Sequence, residues 1–355
     1  MDQEGRPMLG SRRTAWAVAV VAALAIGAGV AVAVVRLGGD SLAPGFVADG
    51  TSGSALTRET EIQLPIGVVR LASGAPLDEI AARRVGKEGD GSVRAADDAA
   101  IVPVAWSFRP SLAYDDLLGY PTTFSLGLTA GGERTDLGEH DIDLHETAES
   151  GVFPEGSLIA VVAGDGDDLE VEVTYEDQTQ TVVMASGKVD PGRAAALYPD
   201  GPASYGASDP CDARRTPEAR LIDAGAGSIY CRIGPLTRTP YLPELGWAEE
   251  GRVWSIVDVT VTAPRSVVWL PTGVGYQVRR DAVVVSLEGG EPVRGPRTDD
   301  EPTDGSGTWV FDSAADDSPL SLHVTAPMTA VREPGAASGP PTVPFGVDAT
   351  FTFQR

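Results

Sequence analysis

The chain reads as all-β: an N-terminal transmembrane helix followed by two antiparallel β-sandwich domains. Three observations predict this. One long uncharged apolar run stands near the N-terminus, short stretches alternating apolar and polar residues recur through the rest, and Gly, Pro and Asp gather between them.

The apolar run extends from Thr14 to Val35, 22 residues without a charge. As a helix it covers about 33 Å, enough for a hydrocarbon core of about 30 Å. Arg6, Arg12 and Arg13 precede it and only Arg36 follows closely. The positive-inside bias therefore assigns residues 1–13 to a cytoplasmic tail and the remainder to the extracytoplasmic side of the cell membrane. Ala31-Val32-Ala33 fits a signal-cleavage pattern, but signal apolar cores run about 7 to 15 residues, and the length of this one favours a retained anchor. Small residues at Ala15, Ala19, Ala23, Gly27 and Ala31 form a stripe of the kind that lets two membrane helices pair as a weak homodimer.

Behind the anchor, residues 36–55 are rich in Gly, Ser and Ala and read as a flexible spacer. Two regions of ordinary domain size follow, 56–198 and 199–355, parted by a Pro-, Gly- and Ala-rich passage from Pro191 to Pro210. In the first, Leu169, Val171, Val173 and Tyr175 alternate with Glu170, Glu172 and Thr174, then a turn at Glu176-Asp177-Gln178 leads to a second strand, predicting a hairpin. In the second, Val253, Val257, Val259 and Val261 share one strand face, with Trp254, Asp258, Thr260 and Thr262 on the other. Further strands are predicted over 101–108, 122–129, 158–163, 282–287, 309–312, 320–325 and 347–353. Short helices are expected over Pro76 to Val85, and from Thr216-Pro217-Glu218 to about Asp223.

Leu169 to Thr174 and Leu320 to Thr325 follow similar apolar and Asp-rich segments, a faint internal repeat. With this layout, and with its many Ala, Gly, Val and Asp and only two lysines, the chain loosely resembles membrane-anchored proteins of high-GC bacteria carrying immunoglobulin-like or telokin-like extracytoplasmic sandwiches. The resemblance implies a fold and no activity.

The net charge is −24, and because residues 1–35 sum to +1, the exported part carries −25. Such a surface disfavours nucleic acid and anionic headgroups as partners, since both need basic patches. Cys211 and Cys231 are the only cysteines, and an oxidising compartment favours a structural disulfide between them, worth about 3 kcal/mol by loop closure.

One constellation suggests chemistry: His140, Asp141, Asp143, His145 and Glu146. On an extended strand Asp141, Asp143 and His145 would share a face, giving two carboxylates and an imidazole to a divalent cation. The bland alternative is an acidic loop tip in a chain with 51 carboxylates. Asp165-Gly166-Asp167-Asp168 reads as a hairpin turn, and Leu270-Pro271-Thr272-Gly273 as another. The sequence lacks the Gly-x-Ser-x-Gly, His-Glu-x-x-His and Ser-x-x-Lys signatures, and no cofactor is expected. Tyr230, Tyr241, Trp247, Trp254 and Trp269, interleaved with Pro240 and Pro243, read either as core or as an aromatic surface that docks a partner.

A tail of 13 residues is too short to fold, so the expected site of action is outside the cell. The reading favoured is a non-enzymatic envelope module that binds another envelope or secreted protein. Its alternatives are a glycan- or peptide-acting hydrolase using unidentified carboxylates, and an extracytoplasmic ligand sensor.

Overall fold

Alternation of apolar and polar residues turns one face of a strand to a core and the other to water, and this chain is built almost wholly from such strands. The computed structural model describes residues 41–50, 56–111, 119–198, 203–205, 209–210, 222–223, 230–295, 307–316, 319–335 and 338–353. All of these belong to one compact unit, Arg36–Arg355. The expected cytoplasmic tail and membrane span lie outside the described residues. Among the described residues no helix is long and apolar enough to cross a membrane.

The first half lays down β1 (Ser41–Leu42), β2 (Val47–Asp49), β3 (Leu56–Leu64), β4 (Gly67–Gly74), β5 (Glu79–Ala81), β6 (Ser92–Ala95), β7 (Ala99–Pro110), β8 (Thr123–Ala130) and β9 (Glu133–Asp141). Helix α1 (Leu144–Ser150), β10 (Glu155–Ala163), β11 (Glu170–Tyr175), β12 (Gln178–Val183) and β13 (Lys188–Asp190) complete it. One sheet has the order β2-β10-β7-β4-β3 and its mate the order β13-β12-β11-β8-β9. Ile62, Val69, Val104 and Ala160 from the first sheet meet Phe124, Leu126, Val171 and Val173 from the second in a shared core. Gln180, 1% exposed, ties one margin: its Nε2 donates to the Gln63 carbonyl at 2.7 Å and its Oε1 accepts from the Tyr198 hydroxyl at 2.8 Å. The predicted hairpin over 169–184 is present as β11 and β12, with Tyr175 paired to Gln178, so the turn itself is Glu176-Asp177 alone.

A third, small sheet of order β1-β6-β5 lies on the outer face of β7 and β10. There Leu42, Ile80, Val85 and Val93 pack on Ile101, Ile159 and Val161. β10 is thus buried on both faces along Leu158–Val162, which is why that stretch is continuously apolar instead of alternating.

Residues 41–50 of the flexible spacer expected over 36–55 are held in this arrangement, and the rest of that stretch lies outside the described residues. Within it, Ser41–Leu42 pairs in parallel with β6, Val47–Asp49 pairs with β10, and Leu42 is 4% exposed. The Gly- and Ser-rich composition hid three apolar anchors, Leu42, Phe46 and Val47, whose burial fixes the segment. The helix expected over Pro76 to Val85 is corrected: β5 occupies 79–81 and only one 3-10 turn, Ala82–Val85, follows. Pairing of β5 with β6 takes the backbone hydrogen bonds a helix would have used.

The second half contains β14 (Ala203–Tyr205), β15 (Asp209–Pro210), β16 (Ile222–Asp223), β17 (Tyr230–Thr239), β18 (Tyr241–Leu242), β19 (Gly246–Trp247) and β20 (Arg252–Thr262). After these come β21 (Ser266–Trp269), β22 (Val274–Arg280), β23 (Val284–Leu287), β24 (Glu291–Arg294), β25 (Gly307–Ala314), β26 (Leu320–Arg332) and β27 (Thr342–Phe353). One sheet has the order β14-β17-β20-β25-β24. In the other, β22 and β23 run end to end along one side of β26 and β27 along its other side. Ile233, Val257, Val259 and Phe311 face Leu322, Val324 and Val347 in the common core. Most of the second short helix, expected from Thr216, lies outside the described residues, but its end, Ile222–Asp223, is the strand β16 paired with β21.

The two halves share a strand order. In the first, β2-β10-β7-β4-β3 stands where β24-β25-β20-β17-β14 stands in the second. In each, the chain then crosses to the mate sheet and makes a hairpin, β11–β12 or β26–β27. The sequence-similar segments 169–174 and 320–325 therefore occupy equivalent places.

Candidate functional site

The strand β9 ends at Asp141, so the shared face expected for Asp141, Asp143 and His145 is not formed. Asp141 accepts from the Thr122 hydroxyl at 2.9 Å. Asp143 is the N-cap of α1 and accepts from the Glu146 N–H at 2.8 Å, while His145 falls within that helix. The physical reason is the capping signal itself: Asp143 with Glu146 three residues on starts a helix, and Gly151 in the left-handed region ends it. Among the described residues no group of three or more His, Cys, Asp and Glu side chains is placed to hold a metal ion.

His140 turns inward instead. Its ring centroid lies 4.6 Å from Trp106 and 5.5 Å from Phe124. Trp106 Nε1 and His140 Nε2 are both buried without a hydrogen-bond partner. Gly156, the β10 residue opposite Trp106, must lack a side chain, since a Cβ there would lie 2.4 Å from that indole nitrogen. Burial pulls the His140 pKa below its ordinary 6.5, against the opposing pull of Asp49 and Asp136.

The third histidine, His323, lies on the solvent face of β26. Its Nδ1 is 3.1 Å from the Thr350 hydroxyl, and its Nε2 is 3.1 Å from that of Thr325 and 3.6 Å from Asp348 Oδ1. Ser286 is its cross-strand neighbour. The composition mimics a Ser-His-Asp set, but the hydrogen-bond and ion-pair partners of the ring are Thr350, Thr325 and Asp348, and Ser286 is only its neighbour in register. The arrangement is a polar cross-strand ladder.

An open recess lies on the outer face of the first sheet, beyond the small sheet that covers its other end. Its volume is about 330 Å³ and its lining includes Glu61, Val68, Arg70, Ser107, Arg109, Val152, Phe153 and Glu155. Strand pairing builds it: Val68 lies opposite Arg109, and Ser107 lies between Arg70 and Glu155. The 151–154 loop forms the wall, held by the Phe108 N–H donating to the Pro154 carbonyl at 2.8 Å. Val152 is 68% and Phe153 40% exposed, so two adjacent apolar side chains face water here. The Arg109 guanidinium sits 5.8 Å from the Phe153 ring centre. Arg70 is tied to Glu61 at 2.7 Å, and that bond raises its already high pKa. The recess sets an apolar wall, a hydroxyl, two guanidinium groups and two carboxylates side by side.

Sequence reasoning did not single out this recess. Its signal was local: Val152-Phe153-Pro154 directly follows the helix-ending Gly151 and forms no part of any alternating strand.

Of the aromatic stretch, Tyr230 is 48% exposed, Trp269 is buried with Tyr276 in the second half, and Tyr241 and Trp247 pack against the first half. Cys231, on β17, is 4% exposed, and among the described residues no cysteine is a free thiol. Cys211 lies outside the described residues. The chain matches no known family model, and no curated protein or solved structure is detectably similar to it.

Proposed function

We propose that this chain is a membrane-anchored extracytoplasmic binding module whose first β-sandwich presents the Phe153 recess to an envelope or secreted protein. The observation that carries the reading is the exposed Val152-Phe153 wall beside Arg109, because aromatic and arginine side chains at a recess are the groups that anchor interfaces. The strand order supports the scaffold. Constant-type immunoglobulin sandwiches set A-B-E-D against C-F-G, and β17-β20-β25-β24 against β22/β23-β26-β27 has that form. In the first half β2 takes the place of the D strand. The anchor is residues 14–35, with the N-terminus cytoplasmic. Only residues 36–40 then stand between the anchor and β1. A Cys211–Cys231 bridge would pin the segment before β17 to that strand.

The test is purification of the full-length chain after crosslinking in intact cells. Wild-type protein is expected to retain one reproducible extracytoplasmic partner, and Arg109→Ala with Phe153→Ala to lose it while keeping its circular dichroism. Equal recovery by both would contradict the recess as the binding site.

A further inference from the structure

Between β17 and β20 the chain makes the short hairpin β18–β19, and this hairpin belongs by packing to the other half of the molecule. Tyr241 is 2% exposed, yet the core that buries it is that of the first half. Its ring centre lies 5.5 Å from Tyr175, 6.0 Å from Tyr120 and 5.2 Å from Trp247. Trp247 Nε1 donates to two carbonyls of the first half, Glu176 at 2.9 Å and Tyr175 at 3.3 Å. Those residues end β11 and open its turn. Burial pushes the Tyr241 pKa up to about 12, and the neighbouring Glu176 carboxylate adds to the shift.

The hairpin is equally fixed to its own half. Trp254 Nε1, on β20, donates to the Gly246 carbonyl at 2.9 Å, and the Ala248 N–H donates to the Pro240 carbonyl at 2.8 Å. The Trp247 indole N–H thus ties the seven-residue hairpin, Tyr241–Trp247, to the first half, and the Trp254 indole N–H ties it to its own. The turn that receives it is tight: Glu176 and Asp177 both have positive φ, 47° and 59°, the paired left-handed conformation of a two-residue hairpin.

We infer that the β18–β19 hairpin is a latch and the β11–β12 turn its catch, so that the two sandwiches unfold and move as one body. A flexible pair of domains would leave these aromatic rings in water; here they form a single cluster drawn from both halves. A load or ligand on one half is then felt by the other through Trp247 and Glu176. This inference does not depend on the recess or on the cellular location.

Calorimetry of the full-length chain in detergent tests it. The wild type is expected to melt in one transition, with calorimetric and van't Hoff enthalpies in a ratio of about one. Tyr241→Ala with Trp247→Ala should split the melt into two. Trp247→Phe, which keeps a ring in the cluster and removes only the carbonyl contacts, should raise the ratio above the wild-type value. Phe351→Ala, a truncation away from the joint, should lower the transition without splitting it. Two transitions in the wild type, or one unsplit transition in the double variant, would overturn the latch.

Discussion

His140 shows how much a single side chain's direction matters. It stands next to Asp141 in sequence, but on β9 alternate residues face opposite ways, and its ring enters the aromatic layer with Trp106 and Phe124. Its folded pKa lies below the ordinary 6.5, because burial penalises the imidazolium more than Asp49 and Asp136 favour it. As pH falls past about 6.5 the unfolded chain takes up the proton first. Stability is therefore fully present above that pH, declines as pH falls towards the lowered folded value, and is constant with respect to this group below it. Denaturant melts at stepped pH should show the decline in the wild type and a flatter profile in His140→Phe. Identical profiles would contradict the assignment. Glu176 and Asp177 teach a similar lesson: the sequence reads as a turn of Glu176-Asp177-Gln178, whereas Gln178 pairs with Tyr175 and the two acidic residues alone make the turn in left-handed conformations.

Among the elements, strands with clean alternation were legible. Burial along β20 follows its Val253, Val257, Val259 and Val261 face residue by residue, and the 169–184 hairpin keeps its predicted pairing. What escaped was decided by tertiary contact or by capping. Helix α1 was announced only by Asp143, Glu146 and Gly151, a cap signal easily taken for an acidic loop. β1 and β2 were hidden because two- and three-residue strands carry no periodicity, and only their partners β6 and β10 reveal them. If Leu42 closes the small sheet over Ile159, then Leu42→Ala and Ile159→Ala should each cost about 2–5 kcal/mol, measured by chemical denaturation. A change below about 0.5 kcal/mol for Leu42→Ala, the range of ordinary surface substitutions, would return residues 41–50 to a spacer.

At the scale of the whole molecule, the β-rich class was readable from composition and spacing. The joint between the halves was not, because nothing local distinguishes an aromatic that packs in its own core from one that crosses to another. Tyr241 and Trp247 cross, whereas Trp269 does not. The recess is likewise a product of assembly, set by the register that brings Arg109, Ser107 and Glu155 to one face and by a loop that happens to close beside them. The proposal that this face is where the protein meets its partner is tested most directly by a photoreactive residue at Val152, with a second at exposed Val284 as control, illuminated in intact cells. A discrete adduct at Val152 that disappears with Arg109→Ala, and is missing at Val284, is the predicted result. No adduct at Val152, or equal adducts at both positions, would contradict it.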